Sequence, residues 1–153
     1  MPKTKKQVQL KLRIPHILVD VRDADPALVD ELLPGLELLE EQARIHILGK
    51  GAKSLPHVFS TEEAMEEAHM WLVLGEKLPK ELNMALERGI VPVLLRGLHP
   101  HAQDYVPSQE KGNSFLFPKL SAWSIYGCLV RALENFHFSY DWDNLKRHSK
   151  ELL

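Results

Sequence analysis

The chain has 153 residues, of which 44% are hydrophobic and 26% charged, with a formal charge of −2 at pH 7. That is ordinary globular composition, long enough for one domain with a sizeable core. The slight acidity argues against a nucleic-acid partner, which a basic field would attract, and the lack of any apolar run near about 18 residues argues against a membrane span.

The N-terminus has no apolar stretch of the signal-peptide kind, and the single cysteine, Cys128, permits no disulfide within the chain. Both fit a reducing, cytoplasmic compartment. Residues 1–13, with Lys3 to Lys6, Lys11 and Arg13, read as a basic, partly ordered lead-in. Residues 14–153 read as one domain. Ile17 to Val21, apolar and rich in β-branched residues, predicts a first strand. It stops at Arg22-Asp23-Ala24-Asp25-Pro26, where Asp25 is a helix cap and Pro26 suits the first turn. Apolar residues at helical spacing then predict a helix over Ala27 to Ala43, kinked or split by Pro34-Gly35.

Arg44 to Leu48 predicts a second strand, ended by Gly49-Lys50-Gly51. His57 to Phe59 is a minimal third strand. Ser60 and Glu63 have the spacing of a capping box and open a short helix to about His69. Met70 to Leu74 is wholly apolar, as a central parallel strand covered on both faces should be. Pro79 begins a helix that ends at Gly89, a good C′ residue, and Ile90 to Leu95 is the next buried strand. Residues 96–113 form a loop and Phe115 to Phe117 a short strand. Ser121 to Phe136 is a long helix, with Trp123, Ile125, Leu129, Val130 and Leu133 as candidate core and Cys128 as a buried, inert thiol. Residues 137–153 return as a packed helix. Five alternations of strand and helix predict an α/β, three-layer Rossmann-like sandwich with a mainly parallel sheet of about five or six strands. In such sheets a ligand site lies outside the carboxyl ends of the strands.

Several segments share an order and spacing with a known family. They are Gly89-Ile90-Val91-Pro92-Val93 with Ala85 and Leu86 before it, Gly97-Leu98, Gly112 to Phe117, and Ala132-Leu133 with Trp142. In these the chain resembles the C-terminal, donor-binding half of GT-B glycosyltransferases, most like the bacterial glycogen and starch synthases. The resemblance covers roughly residues 15–147. It implies a nucleotide or nucleotide sugar as ligand. It also implies a catalytic cleft closed by a second, acceptor-binding half.

The donor-site residues depart from that family. Arg22 lies where a family arginine holds the donor diphosphate, but the matching lysine position falls near Ala27. Glu76 stands where a family glutamate contacts the donor sugar, yet Lys77-Leu78-Pro79 follows in place of proline and glycine. Met84 occupies the position of a second glutamate found in many relatives. Lys50, Lys77 and Arg96 are the residues that could compensate. The candidate ligand-binding residues are therefore Arg22, Glu76, Lys77, Arg96, Gly97 and Leu98; no catalytic residue, metal or cofactor is expected.

Read as chemistry alone, Arg22 beside Asp20 and Asp23 is either a phosphate clamp or a local ion pair. Glu76, Lys77 and Lys80 either hold an anion at the start of the Pro79 helix or form a solvated face. His99, His101 and Asp104, with His57 nearby, lack a third zinc ligand at a usual spacing, so loop histidines are expected. Trp71, Trp123, Trp142, Phe115, Phe117 and Phe138 read as core and not as a base-stacking platform. The expected function is a stand-alone, degenerate GT-B donor-type domain, binding a nucleotide sugar weakly or acting without catalysis, since 153 residues leave no room for an acceptor half. Two alternatives stay open. One is a donor-binding subunit completed by an acceptor-domain partner chain; the other is a structural homo-oligomer with a filled pocket.

Overall fold

The computed structural model describes residues 13–153; the lysines of the basic lead-in lie outside the described residues. Five strands, β1 (His16–Asp20), β2 (Arg44–Leu48), β3 (Met70–Val73), β4 (Val91–Leu95) and β5 (Phe115–Phe117), form one sheet in the order β2-β1-β3-β4-β5. Every pairing is parallel. The helices are α1 (Pro26–Leu39), α2 (Thr61–Glu67), α3 (Leu82–Glu87), α4 (Ala122–Phe136) and α5 (Ser139–Ser149). This is the α/β sandwich that the strand and helix alternation predicts. No described helix is long and apolar enough to cross a membrane.

The two-residue period of the strands sorts their side chains between two layers. Ile17, Val19, Ile45, Ile47, Met70, Leu72, Val93, Phe115 and Phe117 share one core with the inner faces of α1, α4 and α5. Leu18, Leu48, Trp71, Val73, Leu94 and Leu116 face the other way, onto Ala64 and Met65 of α2 and Ala85 of α3. β3 is buried at all four positions, which explains why its sequence shows no alternation.

Local chemistry sets the element ends. Asp25 accepts a hydrogen bond from Ala27 N at 3.0 Å with Pro26 next in the helix, and Ser60 accepts from Glu63 N at 3.1 Å. Ser121 caps α4 through Ser124 N.

Several expectations are corrected. α1 runs unbroken through Pro34 and ends at Leu39, not Ala43. Pro34 lies on the outer face, so the carbonyl it frees, that of exposed Asp30, faces water, while Leu32, Leu36 and Leu39 keep the inner stripe continuous. The third strand shrinks to one parallel bridge, Ile47 to His57, and Phe59 is 93% exposed; Ser60 already caps α2 and leaves the edge no length. Counting that bridge as a strand, the order becomes 3-2-1-4-5-6, that of dinucleotide-binding sheets. The helix expected at Pro79 starts at Leu82, because residue 81 has φ −89° and ψ 4° and lies outside the helix. Among the aromatics, Trp71, Trp142, Phe115 and Phe117 are buried, but Trp123 is 86% and Phe138 62% exposed. Cys128 is buried as expected, and burial pushes its thiol up to about 11, which leaves it protonated and unreactive at neutral pH.

Candidate functional site

β1 is the turning point of the sheet. The chain leaves it over α1 to reach β2 on one side, then crosses back over α2 to β3 on the other. The carboxyl ends of β1 and β3 therefore part, and a crevice opens between them. It measures about 430 Å³ and is walled by Asp23 and Asp25 from the β1 exit, Gly75, Glu76 and Lys77 from the β3 exit, and Leu120. Three carboxylates thus face one ammonium group. The charge of the lining is therefore net negative. Gly75 serves the protein's own packing there. A Cβ at this position would stand 3.0 Å from the Asp23 carbonyl oxygen and 3.2 Å from Asp23 Cβ.

Arg22 sits one residue before the crevice wall, yet its guanidinium is committed elsewhere. Its Nε and NH2 donate to the two oxygens of Asp20 at 3.0 and 2.8 Å. NH1 and NH2 donate to Glu81 at 3.0 and 3.1 Å. Both contacts are bidentate, and the fork spends four of its five donors on two carboxylates. Thr61 at the start of α2 donates to Glu81 as well, at 3.1 Å. Asp20 is 5% exposed. The cluster therefore ties the end of β1 to the first turns of α2 and α3, and it explains why Glu81 gives α3 no side-chain cap.

The electrostatics agree with the geometry. Hydrogen bonds to Asp20 first, then Glu81, raise the Arg22 pKa. The hydrogen bond from Arg22 holds the Glu81 carboxyl below its ordinary value of 4.5. A carboxyl with a lowered folded pKa adds stability above its unfolded value, and this is lost as pH falls through the folded value. Stability should therefore fall as pH drops below 4.5, and Glu81→Gln should flatten that acid limb. Urea unfolding of both proteins between about pH 3 and 6 checks this; superimposable limbs would contradict it.

The other candidates spread along the same edge. Glu76 and Lys77 line the crevice. Arg96, Gly97 and Leu98 leave β4 farther along the sheet and are not among its lining residues. Gly97 has φ +87° with open space beside it, whereas Leu98 packs on the α2/α3 core. Lys77 and Lys80 precede α3 and do not cap it. The histidines are already engaged: His57 bonds the carbonyls of Leu55 and Gly51, and His99 that of Leu152. Asp104 accepts from Leu116 N and Arg131 at 2.9 Å each.

Sequence reading missed Glu81. It lies 59 residues from Arg22, and no local spacing marks such a pair. The reading also missed an apolar groove of about 380 Å³ between α1 and α4, where Pro34, Leu38, Trp123 and Tyr126 meet. Trp123 was assigned to the core because its neighbours are apolar.

No family model matches the chain. It is 31% identical to glycogen synthase 1 of Synechocystis sp. (strain ATCC 27184 / PCC 6803 / Kazusa) over 68 residues, 43% of this chain and 14% of that protein. The catalytic domain of starch synthase IV from Arabidopsis thaliana, solved with ADP and acarbose, aligns with a TM-score of 0.65 at 14% identity. That alignment covers 95% of this chain and 37% of the other. The chain thus spans well under half of either relative.

Proposed function

We propose, from the premise of a GT-B, glycogen- and starch-synthase-like domain, that this chain is a non-catalytic form of the donor-binding unit. The observation that carries the reading is the Arg22 fork, closed by Asp20 and Glu81. A donor diphosphate needs cations free to meet it. Here the arginine is held by two carboxylates, the family's lysine position falls near Ala27, and three of the four charged residues that line the adjoining crevice are acids. Opening the fork would leave Asp20 as a charge out of water, at a cost of several kcal/mol. Whatever binds in the crevice binds weakly and without the diphosphate grip that orients a sugar for transfer. Such orientation accounts for about 7–11 kcal/mol of a barrier in well-aligned systems.

The test is to incubate the chain with ADP-glucose or UDP-glucose and a glucan and follow nucleotide release. Release at the no-protein background is expected. Turnover above background that disappears in Arg22→Ala overturns the reading.

The groove at Trp123 favours a second reading, an interaction domain that docks on an acceptor-type chain or on a second copy. Exposed apolar surface of this kind is costly to keep in water. If that reading holds, Trp123→Ser should abolish self-association or co-purification without shifting Tm. A chain that stays monomeric and captures no partner counts against it.

A further inference from the structure

At the opposite end of the sheet, near the amino ends of β1 and β2, lies a cluster that the donor-site reading leaves unused. His16 opens β1 opposite Arg44, and His46 pairs with Leu18 in the parallel register. His16 and Leu18 are two apart and so share a face; His46 joins them there. The same face carries α2, whose last residue is Glu67. The two imidazoles stack with centroids 5.6 Å apart and planes 7° from parallel, and His16 Nδ1 is 3.6 Å from Glu67 Oε2.

One ligand atom from each of His16, His46 and Glu67 falls within 4.8 Å of the other two. His16 Nδ1 and His46 Nε2 are buried and, among the described residues, have no hydrogen-bond partner. A buried ring nitrogen without a partner carries a desolvation cost that something must offset. At 3.6 Å, His16 and Glu67 stand at ion-pair distance but do not make a hydrogen bond.

We propose that His16, His46 and Glu67 form a binding site for a divalent transition metal, zinc or a neighbour in its series. Two imidazole nitrogens and a carboxylate oxygen are a borderline-soft set that zinc accepts, with a fourth position left for water. Zinc bonds of 2.0–2.1 Å hold tetrahedral ligands about 3.4 Å apart. His16 and Glu67 already stand near that separation, and closing the remainder requires the His46 ring to turn out of its stack on His16, so that the in-plane lone pairs converge. Burial lowers the His16 pKa, which favours the neutral imidazole, the form that binds metal. Exposed Arg44 is the cation facing the cluster. A bound ion would pin β1, β2 and the end of α2 together, and so stabilise the chain.

The metal candidates legible in the sequence were the His99 loop with His57, none of which belongs to this cluster. The strand pair His16-Ile17-Leu18 and His46-Ile47-Leu48 carries a weak signal, since each histidine opens the same tripeptide.

The experiment is a calorimetric titration of zinc into the untagged full-length chain, with a parallel titration of cobalt(II) followed by its visible absorption. Expected are one ion per chain, a rise in Tm, and the intense visible bands of four-coordinate cobalt. Glu67→Gln is the first variant because the Glu67 side chain is 72% exposed and the change leaves packing alone; His46→Gln is the second. Each should weaken zinc at least tenfold, while circular dichroism shows the fold intact. Absence of a one-to-one site, or affinity unchanged in both variants, overturns the proposal. If His46→Gln fails to fold, Glu67→Gln alone decides.

Discussion

Gly112→Ala should destabilise the chain by at least about 3 kcal/mol, the largest single effect expected of any glycine here. Gly112 has φ +112°, and a Cβ there would lie 2.4 Å from Tyr105 Cα and 2.5 Å from the Asp104 carbonyl oxygen. Both neighbours are backbone, so no rotamer change relieves the clash. The residues around Gly112 fix the loop between β4 and β5. Asn113 accepts from Gln103 N at 2.8 Å and donates to the His101 carbonyl at 3.1 Å. Buried Ser149 on α5 donates to the Asn113 carbonyl at 2.7 Å, and His148 bonds the Gly112 carbonyl at 3.0 Å. Gly112 thus serves packing in this chain. Urea unfolding checks the size of the effect. A loss under about 1 kcal/mol would mean that the loop is free to move and that its packing role is wrong.

Arg22→Ala is expected to cost about 2–4 kcal/mol. The change leaves the buried Asp20 carboxylate without its partner and frees Glu81 from the clamp. Removing one partner of a fully buried pair costs about 3–5 kcal/mol; the Arg22 side chain is 32% exposed, which trims that figure. At about 2–4 °C per kcal/mol for a chain of this size, Tm should drop by roughly 4–16 °C. Arg22→Lys should recover only part of the loss, because a lysine keeps the charge without the fork that grips two carboxylates at once. An arginine kept for a ligand behaves otherwise: its removal barely touches stability. A Tm within about 1 °C of the parent protein would therefore rule out the clamp.

Much of the fold was readable because short-range chemistry declares it. Asp25-Pro26, Ser60 with Glu63, and Ser121 marked helix starts that the structure confirms. The uninterrupted apolar run at Met70 marked the central strand. Expectations failed where long-range contacts decide. Nothing near Pro79 says that residue 81 lies outside the helix with its carboxylate bonded to an arginine at the end of β1. Nothing near Trp123 says that its side of α4 faces outward. The candidate site follows the same division. The sequence placed Arg22, Glu76 and Lys77 at strand ends, and they are there. The partner that occupies Arg22 comes from another helix and has no local signature. The metal cluster was hidden for the same reason, since the register of β1 against β2 brings its histidines together.

The central claim is that the Arg22 guanidinium is spent inside the protein. Calorimetric titration of ADP into the parent chain and into Arg22→Ala, at a temperature where both are folded, tests it most directly. The expected result is a Kd weaker than about 1 mM for both, with no difference between them. A parent Kd below about 100 μM that weakens more than tenfold in Arg22→Ala would contradict the account, because the arginine would then be holding the diphosphate.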